Sequence, residues 1–374
     1  VQVMKRASAI VTDRGGRTCH AAIVSREMGL PCVVGTGDAT TVLAGHSIVT
    51  VDGRAGNIYG GDEVGQLSPH DVSVRELSVV PTKTKLYVNL ADPDSAEKVA
   101  SMDVDGVGLL RAEFMIAHLG EHPRAMLESG RGVLFSAHLT EGIETFASAF
   151  APRPVIYRFS DLKTNEYRNL KGGESYESWE ENPMMGYRGS ARYLAEPELF
   201  ALEVQALKGV RERFPNVWAM VPFVRTVSEI EGVQALLQQH ALEQGPDFKL
   251  WMMAEVPSNV ILLDQFLDAG VDGISIGSND LTQLTLGVDR DNEQLASIFD
   301  ERNSAVMQSI EHVVKQCIAR GVTVSICGQA PSVYPEFTKK LVEWGVTSVS
   351  VTPDMINETK RVLAASELAF NSVA

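Results

Sequence analysis

Cysteine is scarce in this 374-residue sequence. The four that occur, Cys19, Cys32, Cys317 and Cys327, show neither Cys-x-x-Cys spacing nor the density of a disulfide scaffold. Reduced thiols and a cytoplasmic location are therefore expected. No uninterrupted apolar run reaches the roughly 18 residues that a membrane-spanning helix needs, and no secretory signal is visible. Positive charge is also in short supply, because 33 basic against 48 acidic side chains give a net charge of −15. That balance argues against an extended nucleic-acid footprint, so an anionic ligand has to meet a local arginine cluster. Internal repeats and low-complexity tracts are absent. So is an initiator methionine: the chain opens at Val1 and runs almost at once into a dense motif, which leads to the expectation of a fragment or processed piece of something longer, with an upstream partner domain.

What the sequence does contain is alternation. Eight short apolar runs, Leu86–Asn89, Val107–Leu110, Val155–Phe159, Val217–Phe223, Leu250–Val256, Gly273–Gly277, Thr323–Cys327 and Ser348–Thr352, are separated by helix-compatible stretches. Eight such repeats predict an α/β fold, a (β/α)8 TIM barrel, whose active site forms at the carboxyl ends of its strands. At or just past those ends stand Arg111, Arg158, Arg225, Glu255, Asn279, Asp280 and Cys327. Ahead of the barrel, runs at Ala9–Thr12, Cys32–Gly35, Ser47–Val51 and Asn57–Tyr59 alternate with glycine turns and one helical stretch, Ala21–Met28, as in a compact α/β module. The expected organisation is a small module over 1–65, a polar connector with Pro69 and Pro81 over 66–83, and the barrel over 84–374.

In the module, a glycine pair, two arginines and a threonine precede His20. Thr18 is a candidate N-cap, which puts His20 in the first helical turn, where unpaired backbone N–H groups favour an anion. A neutral imidazole there is a nucleophile toward phosphorus, and Arg14 and Arg17 are placed to neutralise a phosphoryl group in transfer. The residues alone are equally compatible with a capping or packing histidine.

At the barrel rim, Arg111, Arg158 and Arg188 can each grip phosphate or carboxylate through two hydrogen bonds. Arginines that converge on one rim repel unless an anion lies between them. Glu255 sits in an otherwise apolar run and Asp280 follows one run later, so the two can share one Mg2+ or Mn2+ and leave positions for substrate oxygens; two hydrogen-bonded structural carboxylates are the alternative. Gly277 and Ser278 form a small-residue turn whose N–H groups can approach a phosphate, and Arg290 can reach the same group. Cys327, followed by Gly328, is either a buried inert thiol or a proton donor and acceptor for carbon.

The string TDRGGRTCHAA from Thr12, with GLPCVVG from Gly29, resembles the swivelling phosphohistidine domain of the phosphoenolpyruvate-utilising enzymes. The barrel strings RFSDLKTNEYRNLKGG from Arg158, ENPMMGYRGSARY from Glu181, MVPFVRTVSE from Met220, SIGSNDLTQLTLGVDRDN from Ser275 and ICGQAPS from Ile326 resemble the same family. Together they cover nearly the whole chain. They are closest to the branch that makes phosphoenolpyruvate from pyruvate with ATP and water. Pyruvate phosphate dikinase and enzyme I of the sugar phosphotransferase system match less well.

The resemblance implies that His20 is the phosphocarrier, that Arg111 and Arg158 bind substrate with Arg188 and Arg290 at the phosphate, and that Glu255 and Asp280 hold Mg2+ or Mn2+. It further implies that Gly277, Ser278 and Asn279 contact substrate and that Cys327 exchanges the methyl proton of pyruvate. It also implies an ATP-binding domain, which nothing in this sequence resembles, and barrels that pair as homodimers. Between Arg124 and Ile143 the chain is shorter than the family pattern. A metal-dependent barrel lyase or aldolase, with no role for His20, and a non-catalytic fragment are the rival readings.

Overall fold

The computed structural model of the protein describes residues 4–16, 19–63, 81–290, 292–295 and 297–371. In the N-terminal module, β1 (Ile10–Val11) pairs in parallel with β2 (Cys32–Val33), and the helix His20–Glu27 connects them. The antiparallel pair β3 (Val49–Asp52) and β4 (Asn57–Gly60) follows. Each of the four expected runs therefore holds a strand. The carboxylate of Asp13 accepts hydrogen bonds from Thr40 N at 2.8 Å and Thr36 Oγ1 at 3.3 Å, tying the glycine-pair motif to the next turn of chain.

The module's helix starts at His20 rather than Ala21. Its N-cap position is Cys19, in extended backbone and without a side-chain cap bond, which corrects the expected Thr18 cap. The sulfhydryl is a weak acceptor, so the first-turn N–H groups keep no strong side-chain partner from that residue. Thr18 and Arg17 themselves lie outside the described residues, as do residues 64–80, which include most of the connector expected over 66–83.

The eight later runs all become strands: β5 (Lys85–Leu90), β6 (Gly106–Arg111), β7 (Val155–Arg158), β8 (Val217–Val221), β9 (Leu250–Ala254), β10 (Gly273–Ile276), β11 (Thr323–Ile326) and β12 (Ser348–Val351). All pair in parallel, and the ring closes in the order β10-β11-β12-β5-β6-β7-β8-β9. Parallel strands covered on both faces are mostly apolar, and β9, β10 and β12 are buried along their whole length, with only small serines among the apolar residues of β10 and β12. Several strands end a residue or two before the apolar run does; Phe159, Gly277 and Cys327 each make one last backbone bond to the neighbouring strand, to Met220 O, Ala254 O and Ile276 O, before the chain enters the upper loops.

Two layers of core result. Inside the ring, Leu109, Ile156, Met220, Trp251, Met253 and Cys327 form one cluster. Outside it, the helix Gly132–Phe150 buries Phe135, Leu139, Ile143, Phe146 and Phe150 on a single stripe. It packs against the helix Pro197–Arg211, and truncating Phe146 to alanine is expected to cost about 3–5 kcal/mol. The segment after Arg124 is thus helical on both sides of a tight turn, where Arg131 grips Glu121 through two bonds of 2.7 Å each. All four cysteines are free. Among the described residues no helix is long and apolar enough to cross a membrane.

Candidate active site

At the carboxyl ends of the strands lies a cavity of about 630 Å3. Arg111, Arg158, Arg188, Glu255, Gly277, Asn279, Asp280, Arg290 and Cys327 all line it. The (β/α)8 geometry explains the convergence, since each residue sits at the end of its own strand or in the loop after it. Ser278 is the exception. Its hydroxyl is held in a short hydrogen bond to buried Glu301, so the side chain is engaged away from the cavity, although its backbone opens the helix Ser278–Leu286. That helix has Gly277 at its N-cap and no side-chain cap, so first-turn N–H groups remain for an anion. The backbone of His20 is described but its side chain is not.

Besides Asp280, two acids not expected at the site, Glu113 and Asp161, hold its cations. Arg158 Nη2 donates to Glu113 Oε1 at 2.7 Å, and the same oxygen accepts from Asp161 N at 2.7 Å. Arg158 Nε and Glu113 Oε2 are buried without a partner among the described residues, a cost of about 1–3 kcal/mol per group unless something else satisfies them. Arg188 is nearly fully buried. Its Nε donates to Asp161 Oδ1 at 2.9 Å, its Nη2 makes a short bond to Asp161 Oδ2, and the same Nη2 reaches Asp280 Oδ2 at 3.2 Å. Arg290 approaches Asp280 Oδ1 at 3.5 Å. Arg225, named at a strand end, does not line the cavity. It donates to the backbone oxygens of Gly186 at 2.6 Å and Arg188 at 3.3 Å, bracing the loop that carries Arg188.

Glu255 is the least ordinary acid. Its Oε1 accepts from Phe223 N at 2.7 Å, and Phe223 holds a left-handed backbone at φ 47°, rare for a non-glycine residue. Burial raises the Glu255 carboxyl to about 8, and the neighbouring Asp280 and Asp161 push it the same way against Arg188 and Arg158. For Asp280, burial also opposes ionisation, but Arg188, Arg290 and Lys163 outweigh it and hold the carboxyl below its ordinary range. The two acids are therefore pushed apart, one charged and one largely protonated near neutrality. A β-carbon on Gly277 would come within 2.5 Å of Glu255 Oε2, so this glycine is what lets the carboxyl stand at the mouth.

Burial raises the Cys327 thiol to about 11, and a negative charge on Glu255 pushes it the same way against the guanidiniums of Arg158 and Arg111. It is a neutral S–H at physiological pH, suited to donating a proton rather than to spontaneous nucleophilic attack. Asn89 fixes the thiol's backbone by donating to Cys327 O at 3.1 Å.

Five cationic side chains (Arg111, Arg158, Lys163, Arg188, Arg290) and five carboxyls (Glu113, Asp161, Glu166, Glu255, Asp280) line the cavity among the described residues. With Glu255 protonated the lining carries one surplus positive charge, which suits a small anion. No group of three or more His, Cys, Asp or Glu side chains converges as a metal cage among the described residues. Two adjacent carboxyls, one kept largely protonated by burial, nevertheless fit a Mg2+-type ion that takes its other ligands from substrate and water.

The site is thus the upper mouth of a parallel barrel, with arginines concentrated around two unequal acids and the helix of the N-terminal module contributing Val24 to its wall. The chain belongs to the PEP-utilising enzyme family: the family's PEP-binding domain matches residues 70–368 and its mobile domain matches residues 1–56. It is 50% identical over 387 residues to a probable phosphoenolpyruvate synthase of Staphylothermus marinus, covering 98% of this chain and 46% of that protein. Against the phosphoenolpyruvate synthase of Aeropyrum pernix it is 50% identical, covering 98% of this chain and 47% of that protein. Against that of Synechocystis sp. the identity is 45%, with 98% of this chain and 48% of that protein covered. The chain spans about half the length of the curated relatives it matches.

Proposed function

We propose that this chain carries the pyruvate/phosphoenolpyruvate half of a phosphoenolpyruvate synthase reaction, passing phosphate between that substrate and His20. The observation that carries the reading is the convergence of Arg111, Arg158, Arg188, Arg290, Glu255, Asp280 and Cys327 on one cavity whose wall includes Val24 of the His20 helix. The relatives' printed names supply the substrate class. The ATP half-reaction is assigned to the part of the full-length relatives that this chain does not match.

In the direction away from phosphoenolpyruvate, Arg158 and Arg188 offset charge that develops on the phosphoryl oxygens as the bond to the enol oxygen breaks. The imidazole of His20 accepts the phosphoryl group. The S–H of Cys327 then gives its proton to the enolate carbon, forming the methyl group of pyruvate; the reverse direction returns that proton to sulfur. Glu255 and Asp280 are the residues that would hold a divalent cation, Mg2+ or Mn2+. Such an ion, when bound, supplies Lewis-acid stabilisation of an enolate.

Incubation with phosphoenolpyruvate labelled in its phosphate is expected to leave acid-labile, alkali-stable label on the wild type and none on His20→Ala. Equal labelling of His20→Ala would count decisively against the reading. In Cys327→Ala, exchange of pyruvate methyl protons with solvent is expected to fall by about 10²–10⁴-fold.

A further inference from the structure

The module's helix does more than carry a histidine. Val24 is 1% exposed and packs against Ala91 and Phe114 of the barrel, with Met4 and Met28 at the margin of the cluster. Val24 also forms part of the cavity wall. One turn before it on the same helix is His20, at the i, i+4 spacing that places two residues on one helix face. Near the other end of the helix, Arg26 Nη1 donates to Gln329 Oε1 at 2.6 Å, while Arg26 Nε lies 4.0 Å from Asp354 Oδ2. The helix thus touches the loops after β5, β6, β11 and β12, with an apolar peg in the middle and a charged arm at the rear.

Gln329 is not a casual surface partner. It is 3% exposed, stands two residues after Cys327, and donates its own backbone N–H to Asn279 Oδ1 at 3.2 Å. Asn279 lines the cavity. A continuous path therefore runs from Arg26 through Gln329 to Asn279, outside the residues that touch the cavity's acids.

We propose that Arg26 and Gln329 form the latch that seats the phosphocarrier module over the barrel mouth, and that Gln329 ties the latch to the substrate loop through Asn279. Arg26 is a positioning residue: it meets no cavity atom and acts by fixing where the helix face bearing His20 stands. Occupancy at Asn279 and seating of the module are then coupled, and by linkage each favours the other equally. The inference deepens the function proposed above and rests on it for its kinetic readout.

Two barrel activities separate the latch from general damage. In Arg26→Ala, transfer of labelled phosphate from phosphoenolpyruvate to His20 is expected to slow by about 10- to 100-fold, the range of a hydrogen bond to a charged group. At saturating pyruvate, where a weakened affinity does not show, proton exchange, which needs no module, should stay within about 2-fold of wild type, a limit set by ordinary surface substitutions. Gln329→Ala should show the same split, the double variant should be no slower than either single one, and Arg26→Lys should recover part of the rate. Unchanged transfer in Arg26→Ala, a parallel loss of proton exchange, or additive effects in the double variant would each overturn the latch.

A reading without turnover keeps this independent of the functional proposal. Spin labels at Thr41→Cys and Lys339→Cys, both exposed positions, should give one narrow distance peak in the otherwise wild-type chain and a broadened one with Arg26→Ala. An identical distribution would sink the latch even if the wild type took no label, whereas an unlabelled wild type with a broadened variant would sink only the functional proposal.

Discussion

The two mouths of the barrel use the same residue types to opposite ends. At the lower mouth, a cavity of about 500 Å3 is lined by Tyr87, Trp218, Trp251, Lys85, Lys249 and Asp272, among others. There Lys85 meets Asp105 at 3.1 Å and Lys249 meets Asp272 at 3.3 Å. Each acid also accepts from strand backbone, Asp105 from Leu86 N at 2.8 Å and Asp272 from Leu250 N at 2.9 Å. Every charge is matched one to one and partly wet. At the upper mouth, one guanidinium serves two acids, one acid faces two guanidiniums, and Glu255 is driven toward its neutral form. Pairing that closes on itself staples strands; pairing that is shared, dry and incomplete leaves an electrostatic vacancy for a ligand or cation.

Breaking the shared network should have the largest effect. Arg188→Ala leaves Asp161 and Asp280 buried beside Glu255 without their common cation, and about 3–5 kcal/mol of stability should be lost on denaturant titration. Arg188→Lys should recover little, because a point charge cannot make the two-pronged bond to Asp161. A milder cut is Gly277→Ala. Its new methyl group displaces the Glu255 carboxyl, and Mn2+ affinity by calorimetry should fall about 10- to 100-fold while the barrel stays folded.

A smaller signature is pH. The Glu255 carboxyl titrates near 8 in the fold against 4.5 in an unfolded chain. Its contribution to cation-free stability is therefore fully present below pH 4.5 and is lost as pH rises through about 8. A divalent cation competes with the same proton, so its affinity should climb by up to about 10-fold per pH unit below that point and level off above it. Glu255→Gln should erase the slope. Least of all should happen at the lower mouth: Lys249→Ala should cost under about 1 kcal/mol and leave phosphoryl transfer unchanged. A large loss of transfer there would dissolve the distinction between the two ends.

The barrel was legible because parallel strands buried on both faces write themselves as short runs dominated by apolar residues, and Leu250–Ala254, apolar at every position, needs no partner information to be seen. Rim residues were legible because arginines and acids directly after such runs have few structural excuses. What stayed hidden was pairing. Asp161 stands three residues beyond Arg158 and Glu113 two beyond Arg111, yet nothing local shows that Glu113 turns to Arg158 and Asp161 to Arg188. Such contacts join loops distant in sequence. The engagement of the Ser278 hydroxyl stayed hidden for a similar reason, since its partner Glu301 lies 23 residues on. Arg26 drew no notice at all: an arginine in a helix's last turn reads as a solvated charge until Gln329, 303 residues away, is brought beside it.

Phe223 sets a limit on improving this protein. Its left-handed backbone aims an N–H at Glu255, while its ring lies under the guanidiniums of both Arg188, at 4.1 Å, and Arg225, at 4.6 Å. A designer seeking heat resistance would choose glycine at such a dihedral and relieve about 1–3 kcal/mol of local strain. The same exchange would remove the aromatic floor on which two arginines rest, so durability and turnover pull in opposite directions at a single residue.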